Sequence, residues 1–188
     1  ADTSQTGDVN IATIDQGTGT DPFNSGASND NDNAAFITQD GTANDSSINQ
    51  GGELGFASST QFGTGNTSEI VQSGGDPVFF VVGNDATVIQ DGENNSSFVT
   101  QSSAHGDLPL VPAGAVAEVT QTGDDNKSTI TQAPLGGHLA TVIQTGTMHT
   151  SLIEQNGLFN TASVTQELSN QTSDIFQTGP VSAPAIGN

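Results

Sequence analysis

The sequence contains no cysteine, tryptophan or tyrosine, and a single basic residue, Lys127, stands against 21 acidic ones. Without cysteine there is neither a disulfide framework nor a thiolate metal site. The formal charge is −20 over 188 residues. Nucleic acid is therefore a poor partner, because phosphate binding depends on Lys and Arg. An anionic membrane surface is excluded on the same ground. No apolar run approaches the roughly 20 residues of a spanning helix, so membrane insertion is not expected. Only 31% of residues are hydrophobic, a composition that ordinarily buries too little apolar surface to offset the entropy of ordering a chain. No secretory signal peptide is recognisable, and the start at Ala1-Asp2-Thr3 reads as a processed mature end.

What is present is a repeat. Glutamine recurs in pairs: Gln5 and Gln16, Gln39 and Gln50, Gln61 and Gln72, Gln90 and Gln101, Gln121 and Gln132, Gln144 and Gln155, Gln166 and Gln177. The step within each pair is eleven residues, whereas the steps between pairs are 23, 11, 18, 20, 12 and 11. Reading back from each Gln gives Asn-x-(Ala/Ser)-x-(Ile/Val)-x-Gln, as in Asn44-Ser46-Ile48-Gln50 and Asn126-Ser128-Ile130-Gln132. Selected positions at period two describe a short strand with one chosen face. The residues after the first Gln of a pair usually hold glycine second, as in Thr6-Gly7-Asp8-Val9, which predicts a tight turn. The expected architecture is all-β: seven strand–turn–strand rungs ending near Gln16, Gln50, Gln72, Gln101, Gln132, Gln155 and Gln177, with one uniform edge and one edge carrying every insertion. The repeat domain spans 1–177, and 178–188 reads as a tail or degenerate strand.

If the two strands of a pair face each other, small residues meet large ones. Ala35 then lies opposite Ile48 and Ser46 opposite Ile37, keeping the volume of each layer even. The predicted aliphatic core is Ile14, Ile37, Ile48, Ile70, Val88 and Val99, continued by Val119, Ile130, Val142, Ile153, Val164 and Ile175. Amides mark the strand ends and are expected to stack as hydrogen-bonded ladders, since buried amides are costly without partners. They are Asn10, Gln16, Asn33, Gln39, Asn44, Gln50, Gln61, Asn66, Gln72, Asn84 and Gln90, followed by Asn95, Gln101, Gln121, Asn126, Gln132, Gln144, Gln155, Asn160, Gln166 and Gln177. In the third pair, Ser59 meets Ser68, which predicts a loose or hydrated layer. No acidic residue takes an inward position, and the second strands carry more outward acids: Asp15, Asp45, Glu69, Glu154 and Asp174.

One rung cannot stand alone, and stacking at about 4.8 Å pairs the backbones and extends the core. The two ends of the stack are open edges that recruit further strands unless capped. The expected fibre-end contacts are Ala1, Thr3 and Gln5 on one side and Ile175, Gln177 and Ile186 on the other.

The pattern Gln-x4-Asn-x5-Gln, with small and aliphatic positions alternating between Asn and Gln, resembles the curlin repeat of curli fibre subunits. Seven imperfect copies cover most of the chain, from about Ala1 to Gln177. The resemblance implies a flattened β-solenoid and a secreted bacterial functional amyloid that polymerises at the cell surface into biofilm matrix. It also implies partners: further copies of the chain, a nucleator and an outer-membrane secretion channel. The chain departs from the family in its long insertions, 17–32, 73–83 and 102–114, and in Gly55, Ala115, His138, His149 and Gln171 at the Asn position.

Other motifs carry less. His138 and His149 are expected at opposite ends of one rung, too far apart to share a metal, and His105 has no visible role. The run Asn29-Asp30-Asn31-Asp32-Asn33 offers oxygen ligands but lacks the glycine and glutamate of an EF-hand loop. Pro77–Val82 and Leu108–Pro112 are apolar insertions. No nucleophile–base pair is indicated, so neither an enzyme nor a cofactor is expected. The competing class is a monomeric binding solenoid, either an ice-binding protein or a calcium-dependent adhesin module. If the subunits do stack, −20 charges per subunit are crowded within a Debye length of about 8–10 Å. Assembly followed by light scattering should therefore quicken severalfold between low and physiological salt. A rate indifferent to ionic strength would count against charge repulsion as the brake.

Overall fold

The alternation of inward and outward residues resolves into fourteen strands. They are β1 (Asp2–Asp8), β2 (Ile11–Gln16), β3 (Ala34–Thr42), β4 (Asp45–Gln50), β5 (Phe56–Thr64), β6 (Thr67–Ser73) and β7 (Asp85–Glu93), then β8 (Ser96–Ser102), β9 (Val116–Asp124), β10 (Lys127–Gln132), β11 (Leu139–Thr147), β12 (Thr150–Asn156), β13 (Thr161–Ser169) and β14 (Thr172–Thr178). The structure, a computed structural model, describes residues 1–17, 33–51, 54–73, 83–102, 114–133 and 137–179, and contains no helix among them. The three long insertions apart from their end residues, the apolar runs 77–82 and 108–112, the acidic run 29–32, His105 and Ile186 lie outside the described residues.

The odd-numbered strands form one seven-stranded sheet in the order β1-β3-β5-β7-β9-β11-β13, and the even-numbered strands form the second. Every pairing is parallel. Register is set by identity, with Gln5 beside Gln39 and Gln39 beside Gln61 in the first sheet. In the second, Gln16 lies beside Gln50 and Gln50 beside Gln72. Each consecutive odd–even pair is thus one rung bridging the two sheets. A slip of one residue would turn every aliphatic group outward, so a one-sided core enforces this register.

The core lies between the sheets. Its first-sheet side is a column of alanines (Ala35, Ala57, Ala86, Ala117, Ala140, Ala162) beside a column of mostly valines, and its second-sheet side is dominated by isoleucines such as Ile48, Ile70, Ile130 and Ile153. Small and large residues complement each other across the gap, which keeps the interior dense. Ser59 and Ser68 are both buried, and neither hydroxyl has a hydrogen-bond partner among the described residues. That layer therefore sacrifices apolar contact without polar compensation.

The tight turn expected after each first Gln is instead part of the sheet. β3 continues three residues past Gln39, so the ladder runs Gln39 to Gln61, Asp40 to Phe62, Gly41 to Gly63 and Thr42 to Thr64. These arcs hold Gly7, Gly41, Gly63, Gly92, Gly123 and Gly146 at φ between +98° and +132°. A second left-handed residue follows each one (Val9, Ala43, Gly65, Asn94, Asp125, Met148). Backbone freedom is only half of the requirement for glycine. A Cβ on each arc glycine would collide with the carbonyl oxygen of the next rung, that of Gly41 above Gly7 and so on up to Leu168 above Gly146. On the opposite edge, the uninserted connection before β13 takes the same form, with Gly157 at φ +98° and Phe159 at +56°. That connection is therefore built like the arcs of the first edge.

Extending the first strands also changes the distribution of charge. Asp40, Asp91 and Glu167 join Asp85 and Glu118 on the exposed face of the first sheet. The expected excess of outward acids on second strands is not observed. No Asp or Glu among the described residues is buried.

Because Gly123 sits mid-stack beneath the Gly146 carbonyl, Gly123→Ala should destabilise the fold by about 2–4 kcal/mol through strain and forced displacement of the neighbouring arc. Urea titration followed by circular dichroism checks this. Thr122→Ala, one residue away on the outward face, should change stability little.

Candidate functional site: amide rails and the terminal rungs

The glutamines form two continuous ladders. In the first sheet the Nε2 of Gln5 donates to Oε1 of Gln39, and so on through Gln61, Gln90, Gln121 and Gln144 to Gln166, at 2.7–2.8 Å. In the second, Gln16 donates to Gln50, and the series runs through Gln72, Gln101, Gln132 and Gln155 to Gln177 at 2.8–2.9 Å. From Gln16 onward each Nε2 also sends a proton across the core. Gln39 donates to the carbonyl of Ile11, Gln61 to that of Asp45, and Gln50 to that of Ala34, at 2.8–3.2 Å. The end of each strand therefore lies over the start of a strand in the facing sheet, so the facing strands run antiparallel. Both amide protons and the carbonyl oxygen are used, as a fully buried amide requires.

The asparagines work differently from the stacked side-chain ladder expected of them. Asn Oδ1 accepts the backbone N–H of the next rung: Asn10 from Asn44, Asn44 from Asn66, Asn66 from Asn95, and Asn95 from Asn126, at 3.0–3.1 Å. The Nδ2 donates to the arc glycine of the next rung, Asn10 to Gly41 O, Asn44 to Gly63 O and Asn95 to Gly123 O. Each Asn thus pins the carbonyl that forces its neighbour to be glycine. On the other edge Asn33 and Asn84 accept from the N–H of Gly55 and Ala115, which themselves supply no side-chain acceptor. That edge is the more interrupted of the two.

Histidine substitutes for asparagine by the same geometry. His149 Nδ1 stands in for Oδ1 and faces Gln171 N–H at 3.3 Å, while its Nε2 lies 3.2 Å from the Thr145 carbonyl. His138 Nδ1 faces Asn160 N–H at 3.3 Å. Its Nε2 is buried with no partner at hydrogen-bond geometry among the described residues. The two rings sit on opposite edges, and no three His, Asp or Glu side chains among the described residues gather as metal ligands. Burial pushes the His138 imidazole below its ordinary value, and the backbone of Ala133 and Gly157 offsets only part of that shift. Burial, aided by the neighbouring Glu118 charge, likewise raises Asp85.

The terminal rungs are unlike each other. All of β1, including Thr3 and Gln5, is exposed, and β2 is half-buried at Ala12, Ile14 and Gln16. At the other end β13 buries Ala162, Val164 and Gln166, and β14 half-buries Ser173, Ile175 and Gln177. The two sheets are offset by half a step. Gln166 reaches the Thr150 carbonyl in β12 and Gln177 reaches Thr161 in β13, so β13 lies between two facing strands. The first strand, β1, faces only β2. Among the described residues both ladders begin on an acceptor with no donor (Gln5 and Gln16 Oε1), and no further acceptor lies beyond Gln166 and Gln177. This directionality was not read from the sequence, since an amide's orientation depends on its neighbours.

A comparison with models of known protein families and with curated protein sequences finds no match to this chain.

A His138 that binds its proton more weakly when folded contributes stability that is complete above its unfolded value of 6.5 and is lost as the pH falls through the lower folded value. His138→Asn should therefore flatten the decline in urea midpoint between about pH 7 and pH 5. Parallel pH profiles for the two proteins would contradict the role of His138.

Proposed function

We propose that the chain is the structural subunit of a curli-like extracellular fibre, a flattened β-solenoid secreted to the cell surface. There it polymerises head to tail by strand addition and contributes to biofilm matrix and surface adhesion. A nucleator and an outer-membrane secretion channel are its proposed partners, on the strength of the curlin resemblance in the repeat.

One observation carries this reading. The two ends of the stack are chemically complementary, with glutamine acceptors and an exposed β1 at one end and glutamine donors on a parallel edge at the other. A second copy brought against β13 and β14 continues both sheets in parallel, with its Gln5 over Gln166 and its Gln16 over Gln177. Each such contact would pair open backbone edges and amides that water otherwise serves. The apolar gain is real too, since Ile14 at one end and Ile175 at the other are only partly covered. The described acids are all exposed and lie outside the core, so stacking copies crowds them without burying them.

Electron microscopy and fibre diffraction of the purified chain test the proposal. Unbranched fibres with a meridional reflection near about 4.8 Å, which is the strand spacing, are expected. A chain that sediments as a monomer at high concentration in physiological salt would instead favour a binding module.

A further inference from the structure

Head-to-tail growth requires the seventh rung to receive the first rung of another copy, and its first-edge arc is built differently from the other six. Leu168 occupies the glycine column, paired with Gly146. It holds φ +79°, a region where a non-glycine residue is strained. Its side chain is 83% exposed, so packing returns nothing for that strain. In every lower rung the arc residue must be glycine because the next carbonyl lies where a Cβ would be. Leucine is tolerated at 168 because no described residue pairs above it.

A second feature of the same arc points the same way. Elsewhere on this edge Asn10, Asn44, Asn66, Asn95 and Asn126 each extend Oδ1 to the backbone N–H of the following rung. In the seventh rung that position is Gln171, and its Oε1 turns back to accept the N–H of Glu167 in its own arc at 3.2 Å. The acceptor that would meet Asn10 N–H of an added copy is thus already engaged. The glutamine ladders invite a further rung while the arc between them opposes it.

We propose that the arc Glu167–Gln171 is a partial cap, acting chiefly through the Cβ of Leu168, that makes the junction between copies weaker than any rung interface within a copy. This rests on the fibre reading above. In a second copy stacked in the internal register, Leu168 meets Gly7, whose carbonyl is directed at the Leu168 Cβ just as that of Gly41 is directed at Gly7. The arc must bend away, and the hydrogen bonds at that edge are lost. Growth is then reversible at subunit junctions, and fibres break between copies rather than within them.

The test measures the concentration of full-length chain left soluble at the assembly plateau. Wild type, Leu168→Gly, Leu168→Ala and Gln171→Asn are compared, with circular dichroism of the soluble form as a check on folding. Leu168→Gly removes the obstruction and should lower the residual concentration about ten-fold, a change of about 1.4 kcal/mol per junction. Leu168→Ala retains the Cβ and should stay close to wild type. Gln171→Asn restores the outward acceptor without touching Leu168 and should lower the residual concentration severalfold, so the proposal remains testable if the glycine variant misfolds. Equal plateaus for all four chains would overturn the cap while leaving the fibre reading in place. Leu168→Ala behaving like Leu168→Gly would overturn the Cβ argument. A monomeric wild type beside a fibre-forming Leu168→Gly would support the cap and remove the fibre reading for the native chain. Failure of all four to assemble would overturn both.

Discussion

A buried primary amide has two donors and one acceptor to satisfy, and in this structure an identical amide one rung away is the partner that completes the set. Gln39, Gln61, Gln90 and Gln121 each give one proton to the next glutamine and one to the facing sheet, and take one from the previous glutamine. That requirement forces parallel pairing and exact repetition, because a shifted or reversed neighbour would leave a polar group stranded in a region that excludes water. Sheet direction and register follow from it.

The same requirement explains how so polar a chain can have a core. The aliphatic layer is thin, with one small and one large inward residue from each strand, and would be insufficient in a single rung. Amides close it on both sides and convert backbone carbonyls of the facing sheet into partners. The described acids remain outside because no inward position offers them a counter-charge. Asparagine adds a second tie by holding the arc carbonyl of the next rung in place, which excludes every side chain but hydrogen from the glycine column wherever a further rung lies above. Histidine meets the asparagine role with a ring, at the cost of a buried imidazole proton at His138.

Much of the strand content and inward set was legible from residues. Gln50 over Gln72, Ile48 over Ile70 and Ser46 over Ser68 are read from spacing alone and recur as pairs in the sheet. The burial of Ser59 and Ser68 was legible too, although whether their layer is loose depends on contacts that spacing does not convey. Other features were not visible. The extension of β3 through Gly41 to Thr42 depends on hydrogen bonds to the next arc, whereas the sequence signal of glycine reads as a simple turn. The asparagine rail looked like a stacked amide ladder because Asn and Gln share a functional group. Asparagine is one methylene shorter, and its amide reaches the backbone instead. The break in the glycine column at Leu168 was present in the sequence as Gln166-Glu167-Leu168, but its meaning depends on which neighbour lies above it.

By itself, the sequence determined the period, the face of each strand that turns inward and the side of the rung that tolerates insertions. Those properties are local: they follow from alternation at period two and from the eleven-residue step. The tertiary structure alone decided the half-step offset between the sheets, the common direction of the amide ladders and hence the difference between the two ends. These belong to relations among rungs, since the orientation of an amide and the exposure of an edge are set by the strand above or below it.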